Sequence, residues 1–202
     1  MRKCACILTI AVWAINVNPL AADPTINVII SEVLFNEPGT STTKEWIKIF
    51  NPTQNAIDLT GYTLNDNSSS YAIVNGTIIL SGQVIVFAKR SDMLGFTPDF
   101  ADLNLLLNNG GDKVELKKAS NVIVDFVAWE TFIGGWGLSA GDAQSIRRIA
   151  LPTDPFSWLS NQTPTPQDAS PLVVVPEPTS FVLAAFGLLG LAILRKKIRA
   201  ER

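Results

Sequence analysis

Through the middle of the chain, apolar and polar positions alternate with the period of a strand. "INVIISEVLF" (Ile26–Phe35) is dense in β-branched residues. "EWIKIFN" (Glu45–Asn51) sets Ile47 and Ile49 on one face and Lys48 on the other, the mark of a half-buried strand. "VIVFAKR" (Val84–Arg90), "KVELKK" (Lys113–Lys118), "VIVDFVAW" (Val122–Trp129) and "AQSIRRI" (Ala143–Ile149) read the same way. Turn residues separate them at short intervals: Ser81–Gln83, Asn108–Asp112 and Ala119–Asn121. Asn75-Gly76, between the apolar runs of "YAIVNGTIIL", predicts a hairpin, because a tight hairpin turn needs φ > 0. The middle carries no helical period and no internal repeat. Short strands over roughly 140 residues predict one antiparallel β-sandwich, all-β in class. Trp46, Ile47, Ile49, Val86, Leu116 and Phe126 are its expected core.

The two ends follow other rules. Arg2 and Lys3 precede an apolar stretch, Cys6–Val17, and small residues follow. This is the layout of a secretory signal peptide over 1–22, cleaved after Ala22 by signal peptidase once the Sec translocon has engaged it. After Ile149 prolines accumulate. Residues 163–175 read as a Pro/Thr-rich linker, which leaves 25–166 for the sandwich domain. Pro176, Glu177 and Pro178 come next, then an apolar run, then Arg195, Lys196, Lys197 and Arg199. The fourteen residues Phe181–Leu194 carry no charge. As a helix they reach about 21 Å, short of the ~30 Å hydrocarbon core. Thr179, Ser180 and a snorkelling Arg195 extend them to a single transmembrane helix over 179–194. The basic cluster should stay cytoplasmic.

Composition narrows the chemistry. The 202 residues include no histidine and two cysteines. Both cysteines, Cys4 and Cys6, leave with the signal peptide. The mature chain then offers no thiol nucleophile, no disulfide, no imidazole base and no soft metal ligand. A secreted domain without disulfides must be held by its own core. Between Asp23 and Ser170 nine Lys and Arg face sixteen Asp and Glu, a net charge of −7, which repels phosphate backbones. Carboxylates remain as candidate catalytic or cation-binding groups: Asp66 beside Asn65 and Asn67, and Asp99 with Asp102. Their spacing matches no calcium loop, and they read as polar loop residues. The expectation is therefore no catalytic residue, no metal and no cofactor. Trp136, flanked by glycines in "IGGWGLS", reads as an exposed candidate ligand contact. Arg147 and Arg148 read as an edge or surface pair.

Several ordered blocks of the middle resemble the lamin-tail domain, an immunoglobulin-like β-sandwich. Ile29, Glu32, Val33 and Asn36 resemble its I-x-E-V-x-x-N strand, with Glu32 one residue later than usual after Ile30. Glu45, Trp46, Ile47, Ile49 and Asn51 resemble E-W-I-E-L-x-N, with Lys48 where the family often has Glu. "DLTGYTLND" (Asp58–Asp66) is similar to L-x-G-W-x-L-x-D. Leu105, Leu107, Asn109, Gly111, Asp112, Leu116, Val124 and Asp125 resemble L-x-L-x-N-x-G-D and the later V-D. Ser145 and Arg148 fit its S-x-x-R strand. "FSWLSNQTPTP" is similar to the closing W-x-x-S-x-x-T-P-G, with Thr165 in the place of the glycine.

"VPEPTSFVLAAFGLLGLAILRKK" resembles a PEP-CTERM sorting signal, here 176–202. That resemblance implies a Gram-negative host that makes exopolysaccharide. It implies a transient inner-membrane anchor and an exosortase, a membrane transpeptidase, as partner. The protein would end in the cell envelope or extracellular matrix. Together the two resemblances imply a non-enzymatic binding or matrix module linked to exopolysaccharide. The alternative is an accessory domain that assists a secreted hydrolase such as a nuclease. Nucleic acid is not an expected ligand.

Overall fold

The computed structural model describes residues 27–39, 43–93, 95–132, 136–151 and 157–168. Along them run β1 (Ile29–Asn36), β2 (Trp46–Phe50), β3 (Ile57–Asp58), β4 (Thr63–Asn65), β5 (Ser70–Ala72) and β6 (Ile78–Ile79). Then follow β7 (Val84–Ala88), β8 (Gly111–Lys117), β9 (Ile123–Glu130), β10 (Gln144–Arg148) and β11 (Trp158–Gln162). Strand neighbours pair antiparallel. One sheet has the order β11-β10-β1-β2-β7, the other β5-β4-β8-β9, and β3 and β6 form a short ribbon. This is the antiparallel sandwich that the alternation predicts, of the immunoglobulin-like kind that the resemblance implies. The signal peptide, the sorting motif, the membrane span and the basic tail lie outside the described residues. Among the described residues no helix is long and apolar enough to cross a membrane.

The core forms where the inward positions of both sheets meet. Ile30, Val33, Phe35, Ile47, Ile49, Ile85, Phe87 and Ile146 come from the five-stranded sheet. Leu64, Val114, Leu116, Val127 and Trp129 come from the other. Phe35 stacks on Trp129 with centroids 4.6 Å apart, an offset ring contact that adds to area burial. One core expectation needs correction. Phe126 is only half-buried: Asp125 and Val127 take the inward positions of β9, so Phe126 stands on the outer face. Trp46 and Val86 are buried, but with Leu34, Ala88 and Met93 in a second cluster on the outer face of the five-stranded sheet. Phe96 closes that cluster edge-on to Trp46 at 6.1 Å.

Asn75-Gly76 does turn the chain, but not within a hairpin. Thr77 N–H donates to the Val74 carbonyl at 3.2 Å and Gly76 has φ 80°. The strands on either side separate, β5 pairing with β4 and β6 with β3. Asn75 itself keeps φ < 0, so this is the one-glycine turn rather than the hairpin type.

The exposed edge of β7 is covered by the chain that follows it. Ala88 N–H donates to the Phe100 carbonyl at 2.9 Å, and Phe100 N–H to the Val86 carbonyl at 3.1 Å. Val86 N–H donates to the Asp99 carboxylate at 2.8 Å. A sheet edge so occupied offers fewer free groups to a stray strand.

Candidate functional site

Three buried polar clusters and one half-open face account for the chemistry-bearing side chains. The first cluster links the sheets. In β1, Ile30 faces Ile49 while Glu32 faces Lys48, so Ser31 is an extra residue opposite one peptide of β2, a β-bulge. Beside it, Ile30 N–H donates to Asp125 Oδ2 at 2.6 Å. The Ile30 carbonyl accepts from Arg148 Nε at 2.8 Å. An Arg148 terminal nitrogen meets both Asp125 oxygens at 2.8 Å, with both side chains fully buried. The guanidinium lies 4.8 Å from the Trp158 ring. Arg148 is thus no surface residue: β10 turns Ile146 and Arg148 inward and Arg147 outward.

The second cluster sits on the outer face of the five-stranded sheet. The bulge puts Glu32 outward, between Lys48 of β2 and Arg147 of β10. Lys48 Nζ lies 2.7 Å from Glu32, both fully buried. Residues 163–168 cross this pair as a strap. Lys48 Nζ donates to the Thr165 carbonyl at 2.6 Å and the Asp168 carbonyl at 3.2 Å. Glu32 accepts from Thr165 N–H at 3.0 Å, Thr165 Oγ1 at 2.7 Å and Ser145 Oγ at 2.6 Å. Arg147 donates to Thr165 Oγ1 at 3.2 Å and Gln162 Oε1 at 2.9 Å. Burial pulls the Lys48 ammonium below its usual range, against the opposing pull of Glu32. The first residues of the expected linker are therefore fastened to the sheet.

The third cluster holds the segment before β8. Successive backbone N–H groups of Leu106, Leu107 and Asn108 donate to three different carboxylates. Asp66 takes the first at 2.8 Å, Glu45 the second at 3.1 Å and Asp112 the third at 3.2 Å. Asp66 also accepts from Ser68 N–H at 2.6 Å and from Ser69 N–H. These acids replace the strand partner that an extended segment would otherwise lack. Glu45 also pairs with Lys89 at 3.1 Å. Burial pushes its carboxyl up to about 7, and the nearby charge of Glu37 adds to the shift.

Asp66 is thus committed to loop structure, as Asp99 is to the β7 edge. Asp102 turns the chain at φ 64°. Among the described residues, no three acidic, Cys or His side chains gather at metal-binding distance. A groove of about 160 Å³ beside the strap is lined by Trp46, Met93, Phe96, Pro164 and Pro166, with Lys44 as its charged member. It presents no acid–base pair.

The half-open face is the outer side of β8 and β9. Lys113 and Lys117 reach Glu115 at 2.6 and 2.8 Å. Burial pushes the Glu115 carboxyl up, and hydrogen bonds from the two lysines outweigh it and hold the group below its usual range. Phe126 stands directly across from Glu115. Trp136, half-buried, meets the Phe126 ring edge-on at 5.1 Å. The Lys113 ammonium lies 5.8 Å from the Phe132 ring. Trp136, expected to be exposed, is half-buried and packs against the core; the charge ladder was missed, though the signal was present: Lys113, Glu115 and Lys117 alternate on one strand face. The sorting motif Pro176, Glu177 and Pro178 and the basic residues Arg195, Lys196, Lys197 and Arg199 lie outside the described residues.

Comparison with known proteins bears on both halves of the chain. The model of the Lamin Tail Domain family matches residues 21–131. The PEP-CTERM protein-sorting motif matches residues 174–197. No curated protein matches the chain. The first match ends at the close of β9, so β10, β11 and the strap add Arg148 and Thr165 to the sandwich from beyond it.

Proposed function

The chain belongs to the Lamin Tail Domain family and carries an exosortase sorting signal, and we propose that it is a non-catalytic matrix module that contacts extracellular polysaccharide. The sorting motif supports the coarse part: an exported, cell-surface or extracellular protein, membrane-anchored at its C-terminus before an exosortase processes it. For the finer part, the carrying observation is the face of β8 and β9. Charged hydrogen-bonding groups there, Lys113, Glu115 and Lys117, border the aromatic rings of Phe126, Phe132 and Trp136. Sugars offer hydroxyls to the first and C–H faces to the second. Asp66, Asp99 and Asp112 are occupied by backbone donors, which favours a binding role over a hydrolytic one.

For the domain limits we propose a signal peptide over 1–22, the sandwich over 25–166 and the sorting segment from Pro176. Seven residues separate Asp168, the end of the strap, from Pro176. A fully extended chain of that length spans roughly 25 Å, so the sandwich is held close to the membrane until the tail is processed.

The test is co-sedimentation of the mature protein with polysaccharide from its native host. Trp136→Ala should weaken binding about three- to tenfold, the worth of one aromatic contact. Unchanged binding by Trp136→Ala and by Lys113→Gln would reject this face. No binding by the wild type would reject the ligand.

A further inference from the structure

The exposed apolar side chains are not scattered. Val74, Ile78, Leu80, Val122 and Ile123 are each between 50 % and 59 % exposed, and they stand at one end of the sandwich. The bond from Ile30 N–H to Asp125 sets the start of β9 over the start of β1. The β8–β9 turn, which leads into Val122 and Ile123, therefore lies at the end where β1 begins and β2 finishes. The ribbon of β3 and β6 closes the same end. Gly76 N–H, in the turn between Val74 and Ile78, donates to Thr60 Oγ1 at 2.9 Å. The next residue, Gly61, is so close to the β8–β9 turn that an added Cβ would stand 2.8 Å from that of Ala119. Single apolar side chains on a surface are ordinary, whereas a group of them marks a contact face.

Charge is divided the same way. Residues 72–83 carry no charge, and residues 116–124 carry Lys117 and Lys118 and no acid. Asp58, across from Ile78 in the ribbon, is turned onto Thr60 N–H and Oγ1 at 2.9 and 2.6 Å. Asp92, Glu130 and Asp142 stand at the opposite end, beyond β7, at the close of β9 and before β10. This polarity fits a bilayer with anionic lipids. Apolar side chains enter the boundary between headgroups and acyl chains, lysines meet the headgroup charge, and the acids face away. The tether permits it. Asp168 is held at Lys48, two residues from the end of β2, about 7 Å along the strand. The seven residues from there to Pro176 reach roughly 25 Å. We propose that this end of the sandwich is a membrane-contact surface, with Val74, Ile78, Leu80, Val122 and Ile123 resting in the near leaflet of the membrane that anchors the tail. A weak contact of this kind holds only beside a second attachment. The tail supplies it, so processing the tail also releases the sandwich. The inference rests on the C-terminal anchorage and not on the polysaccharide reading.

The experiment places the tail-bearing chain in vesicles of equal parts phosphatidylcholine and phosphatidylglycerol. Cys4→Ser and Cys6→Ser leave one introduced cysteine to carry a fluorescent probe. The probe positions are Ile78→Cys, Val122→Cys and, as the control beyond β7 at the far end, the exposed Ser91→Cys. Flotation first shows that the chain is anchored. Lipid with a nitroxide at a shallow acyl position should then quench the probes at 78 and 122 at least about twofold more than the probe at 91. In the double variant Ile78→Asp with Val122→Asp, a probe at Leu80→Cys should lose this quenching while circular dichroism stays β-rich. If that variant fails to fold, the three single probes decide. Equal quenching at all three positions overturns the surface, and so does quenching at Leu80→Cys that survives both aspartates. Probes at 78 and 122 that leave water without being quenched by lipid mean that a second copy covers this end, which also overturns it. A chain that does not float overturns the anchorage reading together with this inference, which tells the two failures apart.

Discussion

Asp125→Asn should be the most damaging conservative change in the molecule. It removes one charge and keeps the volume. In the wild type, Arg148 meets both Asp125 oxygens at 2.8 Å, and both side chains are wholly buried. After the change, Arg148 retains its bond to the Ile30 carbonyl and its place beside the Trp158 ring. Those partners do not cancel a buried positive charge. The expected loss is about 3–5 kcal/mol, the range for breaking a buried pair by removing one partner. Arg148→Met should lose a similar amount, because Asp125 then loses both of its contacts to the guanidinium. The double variant should lose clearly less than the sum, since neither charge is left stranded. Urea unfolding of the mature protein measures each arm through its midpoint at constant m-value. In a sandwich of this size, 3–5 kcal/mol corresponds to a Tm drop of roughly 10–20 °C. A loss below about 1 kcal/mol for Asp125→Asn, or simple additivity in the double variant, would refute the reasoning.

The clasp should respond separately: Lys48→Met strands Glu32 under the strap and should cost about 3 kcal/mol, while speeding protease cleavage between residues 163 and 168 as read by mass spectrometry. Trp46→Ala should cost on the order of 3–5 kcal/mol by emptying the outer-face cluster, again by urea midpoint. Gly111→Ala should destabilise by about 1–3 kcal/mol, because φ is 137° and a Cβ would stand 2.7 Å from Phe132 N; Gly82→Ala, with open space around it, should cost less. Replacing Pro176-Glu177-Pro178 by three alanines should leave membrane insertion intact and block processing, seen as full-length protein accumulating in the inner membrane of the native host.

The strand period made the sandwich legible, because one buried face per sheet writes itself into every second residue. It failed where burial is two-sided. Lys48 read as the polar face of β2, opposite Ile47 and Ile49, yet the strap covers it, and a second apolar cluster buries Trp46 on the same face. Phe126 failed for the reverse reason. Asp125 holds the inward position beside it, and a buried aspartate is invisible to a hydrophobicity pattern unless its arginine is known. Arg148 and Asp125 stand 23 positions apart, on different sheets, and only the packing of one sheet on the other makes them partners. Among the candidate site residues, Trp136 was singled out from its glycine flanks, though as exposed where it stands half-buried. Its partner Phe126 was not, because assigning it to the core took it off the face where it stands.

Each departure from the family pattern looks minor when taken position by position. Glu32 comes one residue late, Lys48 replaces an acidic residue, and Thr165 replaces a glycine. The register shows why they occur together. The late glutamate is the bulge at Ser31, and the bulge turns Glu32 to the outer face opposite position 48. An acidic residue at 48 would there oppose a second buried carboxylate, so a lysine resolves the charge. The pair still leaves acceptor and donor capacity under residue 165. A glycine could offer its backbone N–H and carbonyl, but no hydroxyl. Thr165 offers all three, to Glu32 at 3.0 and 2.7 Å and to Lys48 at 2.6 Å. One backbone insertion thus makes the second change electrostatically necessary and the third favourable. Its result is a fastening at the point where the sandwich gives way to the segment that leads to the sorting signal.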